Sequence, residues 1–148
     1  MSVKDIKKIL VPVDMTGLAN DILVYAKGWQ DALDAELKVI NVVPELGDYS
    51  MLSFPLDAIA ELETSFAKEA HEKLDKLVDD VLGQGVATEV LLGDIVSEIL
   101  RHSREWNADM IIMGSREHKG WDRLIFGSVA QGVFSRAEIP VLILNPNR

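Results

Sequence analysis

The run Ile9-Leu10-Val11-Pro12-Val13-Asp14 decides how the remainder of the chain is read. It is apolar at every position up to Asp14 instead of at every second one, the pattern of a strand covered on both faces. Pro12-Val13-Asp14 then turns into a loop. Leu18, Ile22, Ala26, Trp29 and Leu33 follow at spacings of three and four, the period of a helix with one buried stripe.

Working outward, the same alternation recurs. Residues 37–43 form a second strand rich in Val and Ile, closed by Pro44. Ile59, Leu62, Phe66, Ala70, Leu74, Leu77 and Val81 predict a helix of about six turns. Gly83 and Gly85 end it. Residues 86–92 read as a third strand, and Thr88 and Glu89 place it at a sheet edge. Asp94 is the expected N-cap of a helix carrying Ile95, Val96, Ile99 and Leu100. Residues 110–113 give a fourth strand. Gly127-Ser128 opens a last helix through Val129, Val133 and Phe134, and Pro140 introduces a fifth strand, Val141 to Leu144. Residues 44–55 and 114–126 read as loops, the first carrying Tyr49, Met51, Leu52 and Phe54 and therefore ordered or partly ordered. Strands alternating with helices predict an α/β fold: a single doubly wound domain, residues 1–148, with a parallel sheet and helices on both faces.

Composition narrows the function. The chain has 148 residues, a formal net charge of −9 and no cysteine. Absence of cysteine excludes disulfides, zinc–thiolate sites and thiol nucleophiles. The acidic balance argues against nucleic acid as a partner, because phosphate backbones need an excess of Lys and Arg. The first eight residues lack the apolar centre of a secretory signal, and no apolar run approaches the roughly 20 residues that span a membrane. The expectation is a cytoplasmic protein that does not engage membranes.

In a doubly wound sheet, ligands bind beyond the carboxyl ends of the strands, near the point where strand order reverses. This selects the loops that begin at Pro12, Asn41, Gly93 and Gly114. Gly114 at a strand end lets backbone approach a ligand. Gly127-Ser128 at a helix start directs free N–H groups and the positive end of the helix dipole at one point, which suits a phosphate. Spacing alone allows equally that Gly127 is a turn and Ser128 an N-cap.

The segment from Gly114-Ser115, through two residues and nine more, to Gly127-Ser128 resembles the nucleotide-binding signature of the universal stress proteins, Gly-x-x-Gly-x9-Gly-Ser/Thr. The runs Ile9 to Asp14, Ala108 to Ser115 and Ile139 to Leu144 resemble that family's first, fourth and last strands, so the likeness covers nearly the whole chain. The resemblance implies strand order 3-2-1-4-5 and a cytoplasmic, ATP-binding stress-response or signalling module. Its ligand is ATP, AMP or ADP, and Mg is able to enter with the phosphates. It also implies which residues hold the ligand. Pro12, Val13, Asp14 and Val42 take adenine and ribose. Met113, Gly114, Arg116, Gly127, Ser128 and Val129 take ribose and phosphates. The family is usually dimeric, and an apolar edge strand invites pairing, so a homodimer through Val141 to Leu144 is expected.

One position departs from the signature: Glu117 stands where the second glycine belongs. Glu disfavours positive φ and adds negative charge. Either the loop is remodelled and nucleotide still binds, or Glu117 marks the loss of ATP binding and the protein is a dimeric interaction module. No residue is placed as a committed catalytic base, so turnover is at most slow ATP hydrolysis. Neither Gly-x-x-x-x-Gly-Lys-Ser/Thr nor Gly-x-Gly-x-x-Gly is present. Ser128, His118 and Asp14 lack the Gly-x-Ser-x-Gly elbow of a hydrolase. His102 with Glu105, and His71 with Asp75, read as solvated helix faces and not as metal sites. Trp29, Trp106 and Trp121 read as packing residues.

Overall fold

The computed structural model describes residues 2–45, 55–115 and 127–145. The expectations for the loop before the long helix, and for Arg116, Glu117 and Trp121, lie outside these residues. After a capped 3-10 turn, Val3–Asp5, the elements run β1 (Lys8–Pro12), α1 (Leu18–Leu33), β2 (Glu36–Val43), α2 (Leu56–Leu82), β3 (Ala87–Leu92), α3 (Ile95–Glu105), β4 (Met110–Gly114), α4 (Ser128–Arg136) and β5 (Val141–Leu144). The five strands form one parallel sheet in the order β3-β2-β1-β4-β5. Both β3 and β5 are edges.

The continuous apolar strands have the reason expected of them. Alternate side chains serve opposite layers. Ile9, Val11, Leu37, Val39 and Ile112 pack with Leu23 of α1 and Leu74 and Val78 of α2. Leu10, Ile40, Ile111 and Met113 face the other way, onto Ile99 and Leu100 of α3 and Val133 of α4. Most of these side chains are fully buried, each worth about 1.5–3 kcal/mol in transfer from water. β5, with one neighbour, stays half-buried along its length.

Helix ends follow local chemistry. Asp94 accepts a hydrogen bond from Ser97 N at 2.9 Å and caps α3. Gly83 ends α2 at φ 82°, a conformation that costs glycine little. α2 starts at Leu56, about a turn before the first apolar position that the periodicity identified. Its capping residue is Pro55, whose fixed φ suits a helix entry. Among the described residues, no helix is long and apolar enough to cross a membrane.

The reading of His102 as part of a solvated helix face is corrected. The residue is 5% exposed, and its side chain lies on the sheet side of α3, facing β3. It faces Glu89 of β3, with Nε2 at 3.4 Å from Glu89 Oε2 but without the alignment of a hydrogen bond. Glu89 Oε2 is already held by Lys38 Nζ of β2 at 2.6 Å. Lys38 and Lys8 both lie over the ring of Trp106, at 5.9 and 5.2 Å from its centroid. The helical spacing shows that His102 is one turn beyond Ile99, on the buried stripe. It does not show that strand residues supply a polar floor there.

Burial, and then the positive charge of Lys38, hold the His102 imidazole below its ordinary value. Below pH about 6.5 the unfolded chain therefore binds a proton that the native protein refuses. Stability is expected to fall as pH drops through the ordinary histidine range, and this contribution levels off once the native imidazole also protonates. His102→Gln should flatten that slope between pH 7 and 5.5, as read from urea midpoints. An unchanged slope would show that His102 does not carry it.

Candidate functional site

Strand order reverses between β1 and β4: the chain leaves β1 toward β2 and β3, then crosses back to β4. Beyond the carboxyl ends of these two strands lies a cavity of about 350 Å³. β1 and its loop contribute Pro12, Val13 and Asp14, and β2 contributes Val42. Met113, Gly114 and Ser115 come from the end of β4. Gly127, Ser128, Val129 and Ala130 come from the start of α4. Every residue that the resemblance assigned to nucleotide binding and that is described lines this one cavity. Arg116 lies outside the described residues.

Each wall is set by bonds distant in sequence. Val13 N donates to Ile40 O at 2.9 Å, and the buried Asn41 amide donates to Val13 O at 2.8 Å, so β2 holds the loop after β1 from both sides. Asp14 Oδ1 accepts from Thr16 N at 3.1 Å and from Thr16 Oγ1 at 2.6 Å. Ser115 is buried; its N–H donates to Leu144 O of β5 at 2.9 Å, and its hydroxyl accepts from Gly127 N at 3.3 Å. That pair joins the end of β4 to the start of α4.

Gly127 is the N-cap of α4 and Ser128 its first helical residue, so Ser128 is not the side-chain cap. The first intrahelical bond of this turn runs from Gln131 N to Gly127 O, 2.9 Å. The amides of Ser128, Val129 and Ala130 precede it and have no acceptor within the helix. Among the described lining residues, Asp14 is the only charged side chain. The cavity thus has a carboxylate acceptor in the β1 loop, amide donors and a helix dipole at α4, and apolar walls between them.

Sequence reasoning missed part of the lining. Leu18 and Ile22 of α1, and Ile95 and Ile99 of α3, read as core-facing helix positions; they also wall the cavity. Helical period identifies the inward stripe but not where that stripe runs past the end of the sheet. Ser115 carried a signal, its place directly after Gly114, yet its burial and its bond to Gly127 depend on tertiary contact.

Gly114 also serves a need that spacing did not reveal. A Cβ at this position would stand 2.5 Å from Ile22 Cδ1 and 3.3 Å from Ile22 Cγ1. The close approach is made first by α1, not by a ligand. Gly114→Ala is expected to cost about 1 kcal/mol, the low end of overpacking, because the atom met is the tip of the Ile22 side chain, which borders the cavity. Ile22→Val lacks the clashing methyl and should recover most of that loss. Urea unfolding of both single variants and the double variant checks the coupling; strictly additive losses would remove this explanation.

Comparison with known proteins agrees with this architecture. The universal stress protein family profile matches residues 5–145. Universal stress protein MJ0531 of Methanocaldococcus jannaschii is 32% identical over 141 residues, covering 93% of this chain and 81% of that protein. Among solved structures, MJ0577 of the same organism superposes with a TM-score of 0.77 at 24% identity, covering 96% of this chain and 97% of the other. The universal stress protein from Archaeoglobus fulgidus in complex with dAMP superposes with a TM-score of 0.61 at 22% identity, covering 93% and 96% of the two chains. With the match extending over nearly all of its length, this chain belongs to the universal stress protein family.

Proposed function

We propose that this protein binds an adenine nucleotide in the cavity at the strand-order reversal and acts as a nucleotide-responsive stress or signalling module of the cytoplasm. The observation that carries the reading is convergence. Four chain segments, remote in sequence, bring an acceptor carboxylate and a set of helix-start amides to the wall of one largely apolar cavity. A nucleotide has the complementary parts: a flat apolar base with donor groups, and an anionic phosphate. The cavity volume lies within the range of about 300–1,000 Å³ usual for small-ligand pockets. The dAMP complex of the Archaeoglobus fulgidus relative supports the ligand class.

Asp14 and Val42 receive the base and ribose in this reading, and the amides of Ser128 and Val129 receive the phosphates. Mg enters with the phosphates when the ligand is ATP. Among the described residues, no group of three or more His, Asp or Glu side chains forms a metal seat of its own. The cavity offers acceptors and amide donors, a vocabulary for holding a ligand and changing state with its occupancy. β5 closes one edge of the sheet with a half-buried apolar strand, and we infer that a second copy pairs there. Nucleic acid and membranes are not partners in this reading, given the net charge of −9.

Titration calorimetry with AMP, ADP and ATP, together with mass spectrometry of small molecules released on denaturation, tests the nucleotide. At least one of the three should bind in the micromolar range. Asp14→Ala should weaken it by about tenfold or more, the value of a hydrogen bond to a charged acceptor. No binding up to millimolar concentration, and no nucleotide released, would overturn the reading in favour of a dimeric interaction protein in which Glu117 marks the loss. Equilibrium sedimentation should find a dimer at micromolar concentration; a monomer there would dismiss pairing through β5.

A further inference from the structure

The sheet face under α3 changes character toward the amino ends of the strands. Leu10 of β1 lies in register with Lys38 of β2, and Ile40 with Glu89 of β3, so all four share one face. Lys8, two residues before Leu10, belongs to it too. Leu10, Ile40 and Leu91 continue this face as apolar core. Beneath the last turn of α3 it is charged instead, and His102 rests on it, buried, with Nε2 sealed from solvent and without a hydrogen-bond partner. One oxygen is shared by two candidates there. Glu89 Oε2 lies 2.6 Å from Lys38 Nζ and 3.4 Å from His102 Nε2. The Lys38 bond, above all, holds the Glu89 carboxyl below the usual carboxylate range, so it stays ionised while an imidazole titrates. From α3 itself, Arg101, Glu105 and Glu98 also act on His102, and Arg101 is bonded to both carboxylates. The charge of α4, Arg136, acts on Asp94 at the opposite end of α3. Lys8 reaches the group through Trp106, whose carbonyl accepts from its Nζ at 3.2 Å.

We propose that these groups form an acid-operated switch: on protonation His102 takes Glu89 Oε2 from Lys38, and the released Lys38 changes its place over the Trp106 ring. The neutral state is incomplete, since a buried nitrogen without a partner is costly. A proton taken from solvent at Nε2 turns that nitrogen into a charged donor beside an ionised acceptor, and such bonds are about twice as strong as neutral ones. The last turn of a helix also favours a cation. Lys38 has an alternative to Glu89: its Nζ already lies 5.9 Å from the centroid of the Trp106 ring, where Lys8 lies at 5.2 Å. Trp106 is the carboxyl-terminal cap of α3, so the exchange of partners is delivered to the end of that helix. The device does not depend on what the cavity binds.

The test is a pH titration of the full chain by NMR, reading the His102 ring C–H and the Trp106 indole N–H, each identified by its loss in His102→Gln or Trp106→Phe. In wild type His102 should titrate below pH about 6.5, and the Trp106 signal should move with the same midpoint. His102→Gln should leave Trp106 without that step. Lys38→Met should raise the His102 midpoint by about one pH unit, because a repelling charge is gone and Glu89 is free to pair. It should also abolish the Trp106 step, although His102 still titrates. Lys38→Arg keeps the charge and the bond to Glu89 and should keep the step. Should Lys38→Met fail to fold, Glu89→Gln serves instead: it should lower the His102 midpoint and abolish the step. A step of wild-type size in Lys38→Met is the field of the imidazolium alone and overturns the exchange. So does a step that survives in His102→Gln, or a Trp106 signal that stays still while His102 titrates. A chain that unfolds before His102 protonates also overturns the proposal.

Discussion

Burial of both faces of one parallel sheet is the constraint on which this molecule depends. Backbone N–H and C=O groups inside the sheet are taken up by the ladders, and the side chains on both faces must be apolar to pack against helices. Polar chemistry is thereby driven to the ends of the strands. At the carboxyl ends, between β1 and β4, the crossover connections part in opposite directions and leave a space that none of the described helices fills. The cavity is thus a consequence of topology before any particular residue is considered.

Buried polar groups then act as struts around that space. Asn41 is inside the protein, and its amide fixes Val13. Ser115 is equally buried and joins β5, β4 and α4 through its two hydrogen bonds. A buried polar group without a partner is costly, so each strut also resists displacement. Acceptor and amide donors are in this way held at defined positions on the cavity wall, the condition for binding without reorganisation. Gly114 belongs to the same economy of space, since the absence of its side chain lets α1 close against β4.

The amino ends of the strands carry a different polar group. Lys8, Lys38, Glu89, His102 and Trp106 meet under the last turn of α3. α3 itself runs from the cavity, at Ile95 and Ile99, to this cluster at His102 and Trp106. One buried stripe on one helix therefore borders the cavity at its start and an ionic group at its end.

The amino-acid sequence by itself determined the order and kind of the elements. Two periods, continuous apolar strands and three- or four-residue helical spacing, are local properties that two-sided burial writes directly into the chain. Gly83 and Asp94 marked helix boundaries for reasons contained within a few residues. Pro12, Val13, Asp14, Val42, Met113, Gly114, Gly127, Ser128 and Val129, which line the cavity, were legible through their likeness to a signature, and through the rule that places ligands at strand ends. Tertiary structure alone decided what meets those residues across the fold. That Gly114 makes room for Ile22, that Asn41 holds Val13, that Ser115 reaches Gly127 and that His102 faces Glu89 are contacts between segments remote along the chain. Periodicity states that a side chain points inward. Only the packed sheet and its helices state which atom it finds there.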